Sequence, residues 1–143
     1  MSEWRRVAIE KLPELQNIIS VAENPHSLWI ELWLQMEDVY AQETLNDSLV
    51  ERLYAYASWC LWQPHNDLLR TAVVTCFYEH LPTHPRIRKD VARWLSEDEF
   101  TSLRPAFGYH LSKREVKDFA QEFSTQRYRQ SVLTVKRNMS DQK

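Results

Sequence analysis

The sequence predicts an all-α fold, and three observations carry that reading. Apolar residues recur at i, i+3 and i+4 along almost the whole chain. The breaks between these runs fall at prolines and at residues that cap helices. Gly108 is the only glycine, so the tight two-residue turns of β-hairpins, which need Asn-Gly, Asp-Gly or similar pairs, are not available. The expected architecture is an irregular bundle of about six to seven helices built from antiparallel helical hairpins; a short solenoid-like stack is the alternative. Helix lengths and loops do not repeat, which favours the bundle.

Residues 2–23 read either as one helix kinked at Pro13 or as two short helices with Pro13 in the first turn of the second. Asn24-Pro25 opens the next helix, with Asn24 as N-cap and Pro25 at N1. Its inward face is Leu28, Trp29, Leu32, Trp33, Met36, Val39 and Tyr40. From Asp47 to Gln63 apolar side chains cover nearly every side, which marks a central, buried helix. Pro64-His65 turns the chain, and Asn66 or Asp67 caps a helix facing inward through Leu69, Ala72, Val73, Cys76, Phe77 and His80. Leu81 to Pro85 ends that hairpin.

A further helix starts near Pro85 and directs Ile87, Val91, Trp94 and Leu95 inward. Ser96 with Glu99, and Ser112 with Glu115, have capping-box spacing. Pro105 and Gly108 close the helix that carries Phe100 and Leu103. The last helix points Val116, Phe119, Ala120 and Phe123 inward. Beyond Tyr128 the periodicity weakens, and residues 131–135 read as a last helical turn or a lone edge strand. The domain is expected to span 1–135, followed by a basic flexible tail, 136–143.

A chain of 143 residues fits one domain, and a fold of this size buries roughly 68–70% of its unfolded surface. With 43% hydrophobic and 12% aromatic residues, it builds a core without disulfides or a structural metal. Scarcity of glycine also excludes phosphate-cradling loops, dinucleotide fingerprints and nucleophile elbows. Cys60 and Cys76 form neither a zinc spacing nor a CxxC pair. In the expected hairpin they sit at levels roughly 10 Å apart, beyond the ~7 Å limit between bridged Cα atoms. Two free core thiols, no secretory leader and no apolar run of about 20 residues make a cytoplasmic location the expectation.

No catalytic, cofactor-binding or metal-binding residue is assigned. His80 and His84 have the four-residue spacing of paired metal ligands, but Pro82 and Pro85 break the helix between and after them. They read as a core or boundary histidine and a loop histidine. Arg86, Arg88, Lys89 and Arg93, with Arg127, Arg129, Lys136 and Arg137, could stripe a phosphate backbone. A sequence pI near 6.2 opposes nucleic acid as the partner. Neither is a membrane expected.

Charge is distributed unevenly. Residues 1–51 carry ten carboxylates and three Lys or Arg, whereas residues 52–143 carry ten and fifteen. Between Asn24 and Glu51 there are six carboxylates and no Lys or Arg. Glu31, Glu37, Asp38 and Glu43 are therefore the candidate partner-binding residues, on a face able to steer a basic protein. The bland reading is that they solvate a helix face.

The segments Tyr54-Ala-Tyr-Ala-Ser-Trp-Cys60 and Phe77-Tyr-Glu-His-Leu-Pro82 resemble a pattern in small bacterial helical proteins, some of them similar to immunity proteins. That resemblance implies a cytoplasmic protein-binding module that neutralises a toxin; the acidic 24–51 region fits a basic toxin domain as its partner. The alternative is a small enzyme or ligand-binding bundle with a pocket near His80.

Overall fold

The computed structural model describes residues 1–141. Among them are eight α-helices, three 3-10 segments and no strand. By its internal contacts the chain divides into two compact units, Met1–His80 and Leu81–Lys143.

In the first unit, α1 (Glu3–Lys11) ends before Pro13. A 3-10 turn, Pro13–Leu15, leads into α2 (Gln16–Val21). Proline cannot continue α1, because it lacks the amide proton and its ring clashes with the preceding turn; the two-helix reading of 2–23 is the one realised. Arg5 fastens the pair, donating to the Ala22 carbonyl at 2.7 Å and to that of Ser20 at 3.1 Å, carbonyls that the end of α2 leaves without helical donors.

α3 (Pro25–Ala41) starts with a reciprocal cap. Asn24 Oδ1 accepts from the Ser27 amide at 2.8 Å, and Ser27 Oγ accepts from the Asn24 amide at 3.2 Å. α4 (Asp47–Leu61) and α5 (Asp67–Cys76) are capped by Asn46 and Asn66, each accepting from the amide three residues on. α5 packs on both α3 and α4, and α1 packs on α4. Leu53, Tyr56, Ala57 and Cys60 of α4 are fully buried. Trp62, within the 47–63 stretch expected to be buried on nearly every side, lies just past the helix and is exposed.

The centre of this unit is aromatic. Trp29 stacks on Tyr56 at 5.3 Å and meets Phe77 at 5.1 Å. The Tyr56 hydroxyl donates to the Trp4 carbonyl at 2.8 Å and thereby ties α4 to α1. Cys60 and Cys76 are buried and unbonded. Burial pushes the Cys60 thiol up to about 12 and raises that of Cys76.

A 3-10 segment, Tyr78–Thr83, carries the chain onward. In the second unit, α6 (Pro85–Asp90) runs into a 3-10 turn, Val91–Arg93, followed by α7 (Glu97–Phe107) and α8 (Lys113–Asp141). Its core is a phenylalanine cluster: Phe100 stacks on Phe123 at 4.1 Å, and Phe107 meets Phe119 at 5.0 Å. Ser112 and Glu115 form a complete capping box, with bonds of 3.1 and 3.2 Å. Ser96 accepts from the Glu99 amide, but Glu99 returns its carboxylate to the Ser96 hydroxyl instead of the amide.

Two expectations change here. Pro105 lies inside α7, and only Gly108 closes it. The proline ring is exposed in the last turn, where its missing donor costs a single helical bond. Past Tyr128 the chain continues as helix to Asp141; the weak periodicity reflects a helix with little to pack against, not a strand. The expected tail is therefore helical through 141, and residues 142–143 lie outside the described residues.

Candidate interaction surface

The cap at Asn24 fixes which side of α3 is buried. Leu28, Trp29, Leu32 and Met36 are completely inaccessible, Val39 and Tyr40 nearly so, and Trp33 is half-buried against Phe77 and His80. The opposite side holds Ile30 and Leu34, exposed at 51% and 50%, together with exposed Ala41. At ~100° per residue these three fall within roughly 40° of one another, forming a narrow apolar line along the helix. Glu37 borders it on one side, and Glu31 and Asp38 on the other. Glu31 and Asp38 are exposed and Glu37 is half-buried.

Beyond Ala41 the backbone turns extended at Gln42, whose side chain donates to the Asp38 carbonyl at 3.3 Å. Glu43 is exposed in the connection to α4, and Asp47 and Glu51 are exposed in the first turns of that helix. The four candidates thus belong to one face and the end of one helix. Ile30 and Leu34 were not singled out in the sequence. Their signal was there, two branched apolar residues four apart on the side away from the core stripe.

None of Glu31, Glu37, Asp38 and Glu43 is in an ion pair among the described residues. Several carboxylates elsewhere are matched. Glu10 pairs with Arg6 at 2.8 Å, Glu122 with Arg88 at 2.7 Å and Asp90 with Arg93 at 3.2 Å. Asp67 pairs with Arg70, and Glu14 with Arg52. The charge asymmetry also follows the structural division: residues 1–80 carry twelve carboxylates and five Lys or Arg, residues 81–143 eight and thirteen.

The other candidates resolve into packing and caps. His80 rests its ring on Trp33 at 5.5 Å, and Glu79 is buried. His84 caps α6, its Nδ1 accepting from the Ile87 amide at 3.4 Å. No group of three His, Cys, Asp or Glu able to hold a metal ion occurs among the described residues. Several cations of the supposed phosphate stripe are engaged: Arg88 with Glu122, Arg93 with Asp90, and Arg127 with the Ala92 carbonyl. Arg93 also covers the ring of half-buried Trp94, whose indole donates to Asp90 at 3.2 Å. An open groove of about 410 Å³ runs past Trp4, Trp59 and His65, and another of about 630 Å³ past Arg93, Trp94 and Arg137. Among the described residues no helix is long and apolar enough to cross a membrane.

Comparison with known proteins adds no relative: no family model, curated protein or solved structure matches this chain.

Proposed function

We propose that the chain is a cytoplasmic protein-binding module that presents the outer face of α3 to a partner with a basic surface. Immunity-type blocking of a basic toxin domain is the use this reading assigns to it. One observation carries the reading. Carboxylates left without ion-pair partners border an exposed apolar line on a helix whose other side is fully committed to the core. An apolar centre with a charged rim is the usual anatomy of a protein interface, and uncompensated rim charge acts mainly on the rate of encounter.

The test replaces Glu31, Asp38 and Glu43 by lysine. All three are exposed, so thermal stability should stay within about 0.5 kcal/mol of the parent. The expected partner is the basic domain of a toxin encoded beside this chain's gene, and that domain is the probe. Its association rate at low salt should fall by about tenfold or more, and the difference should shrink as ionic strength rises. An unchanged rate and salt dependence would reduce the acidic face to solvation.

A further inference from the structure

The second half of α8 has the opposite chemistry to α3. Tyr128, Val135 and Met139 are exposed at 72, 57 and 64%, and Val132 is half-exposed. Their 4-3-4 spacing places them within roughly 60° at ~100° per residue. Arg129 and Lys136 lie beside this line, one helical turn on either side of Val132 and Leu133. From Ser124 to Met139 there are four Lys or Arg and no carboxylate.

We infer that this face of α8 docks on the acidic face of α3 of a second copy of the chain. The inference rests on the reading of α3 as an interaction surface and commits to a second copy as its occupant when no toxin domain is bound. Three features select that occupant. The charges are complementary, since the α3 side lacks Lys and Arg from Asn24 to Glu51 and the α8 side lacks carboxylates from Ser124 to Met139. The apolar lines match in length: Ile30 and Ala41 lie eleven residues apart, as do Tyr128 and Met139, or ~17 Å at 1.5 Å per residue.

Both lines are also narrow; exposed Leu133 of α8 is set apart from its line, beyond Arg129 and Lys136. A narrow seam such as the 4-3-4 line of α8 suits another helix, whereas a helix lying in a lipid surface needs a broad apolar face. Parallel pairing of α8 with α8 would bring like charges together, so the seam points to α3. Each contact is small, so the association is expected in the weak range of interfaces below about 1,200 Å².

The experiment uses the full chain in analytical ultracentrifugation from about 1 to about 500 µM, spanning the range expected of such weak contacts. At low salt the weight-average mass should rise with concentration, and the association constant should drop roughly tenfold or more at high salt. Glu31→Lys/Asp38→Lys and Arg129→Glu/Lys136→Glu should each remain monomeric, because each now opposes like charges. Mixed together, the two variants should associate again, since each then offers the other an opposite charge in either α3–α8 pairing.

A parent chain that stays monomeric throughout would overturn the inference, as would association equally strong in both separate variants. Binding of the monomeric parent to phosphatidylserine vesicles, lost in Arg129→Glu/Lys136→Glu, would overturn it in favour of a lipid surface. The two readings fail separately. Arg129→Glu/Lys136→Glu leaves α3 intact and should bind the basic toxin domain at least as fast as the parent. Failure of that binding leaves the mixing result untouched.

Discussion

Arg52 offers the sharpest quantitative test of how the first unit is held together. Its guanidinium forks onto both carboxylate oxygens of Glu14, the Nη2–Oε2 bond being 2.8 Å. It also donates to the Lys11 carbonyl at the end of α1, and its Nε donates to the Ser48 carbonyl, both at 3.1 Å. One side chain thus joins α4 to the break between α1 and α2. The side chains are 30% and 44% exposed, so the several kcal/mol expected on breaking a buried pair does not apply. Exposed pairs contribute about 0.2–1 kcal/mol, and the two-pronged geometry places this one near the top, at about 1 kcal/mol.

The assay is a double-mutant cycle of Glu14→Gln and Arg52→Gln, read by urea denaturation. At pH 7 the coupling should be about 1 kcal/mol. Hydrogen bonding from Arg52 holds the Glu14 carboxyl below its ordinary value of 4.5. A depressed carboxyl pKa contributes stability that is fully present above the unfolded value and is lost as pH falls through the folded one. The coupling should therefore be constant from neutral pH down to about 5 and fade progressively below about 4. A coupling under about 0.3 kcal/mol at pH 7, or one that persists undiminished at pH 3, would refute this account. Arg52→Lys should recover only part of it, because an ammonium cannot occupy the fork.

Three further outcomes follow from the geometry. Ser112→Ala removes the acceptor of a complete capping box and should cost about 0.5–2 kcal/mol by thermal denaturation; Ser112→Asp, able to accept the same bond, should recover most of it. Phe100→Ala opens the phenylalanine cluster of the second unit and should cost about 3–5 kcal/mol, against under about 1.5 kcal/mol for the better-filled Phe100→Leu; equal losses would show that the ring stacking observed at 4.1 Å is not where the energy lies. Cys60, completely buried with its thiol raised to about 12, should react with a thiol reagent at pH 8 only under denaturing conditions.

Most of the fold was legible because it is written in local chemistry. Asn24, Ser96 and Ser112 announce helix starts by their own side chains, and Pro13 and Pro25 announce ends and beginnings by what their rings forbid. The inward face of α3 was legible because a 3.6-residue period admits only one buried side. What local chemistry does not encode is whether a helix has a neighbour. Residues 128–139 lose the core period because that length of α8 lies largely open, and loss of period resembles a strand or a frayed end as readily as an open helix. Pro105 misled for a related reason, since proline's cost in a helix depends on where its turn lies.

Ile30 and Leu34 expose the same limit at the candidate site. Both are good helix residues of apolar type, so a helical wheel absorbs them into a generally apolar α3. Their exposure becomes visible only when Trp29 and Leu32 are seen filled from inside by Tyr56, Phe77 and α5. Scattered surface apolar residues are ordinary and need no explanation. Two features set these apart: they line up along one helix edge, and carboxylates in no ion pair among the described residues border that edge on both sides. Lysine placed at Ile30 and Leu34 would remove the apolar line without touching the core or the acidic rim. Such a variant separates the two contributions: encounter steered by charge would survive, and residence on the surface would not.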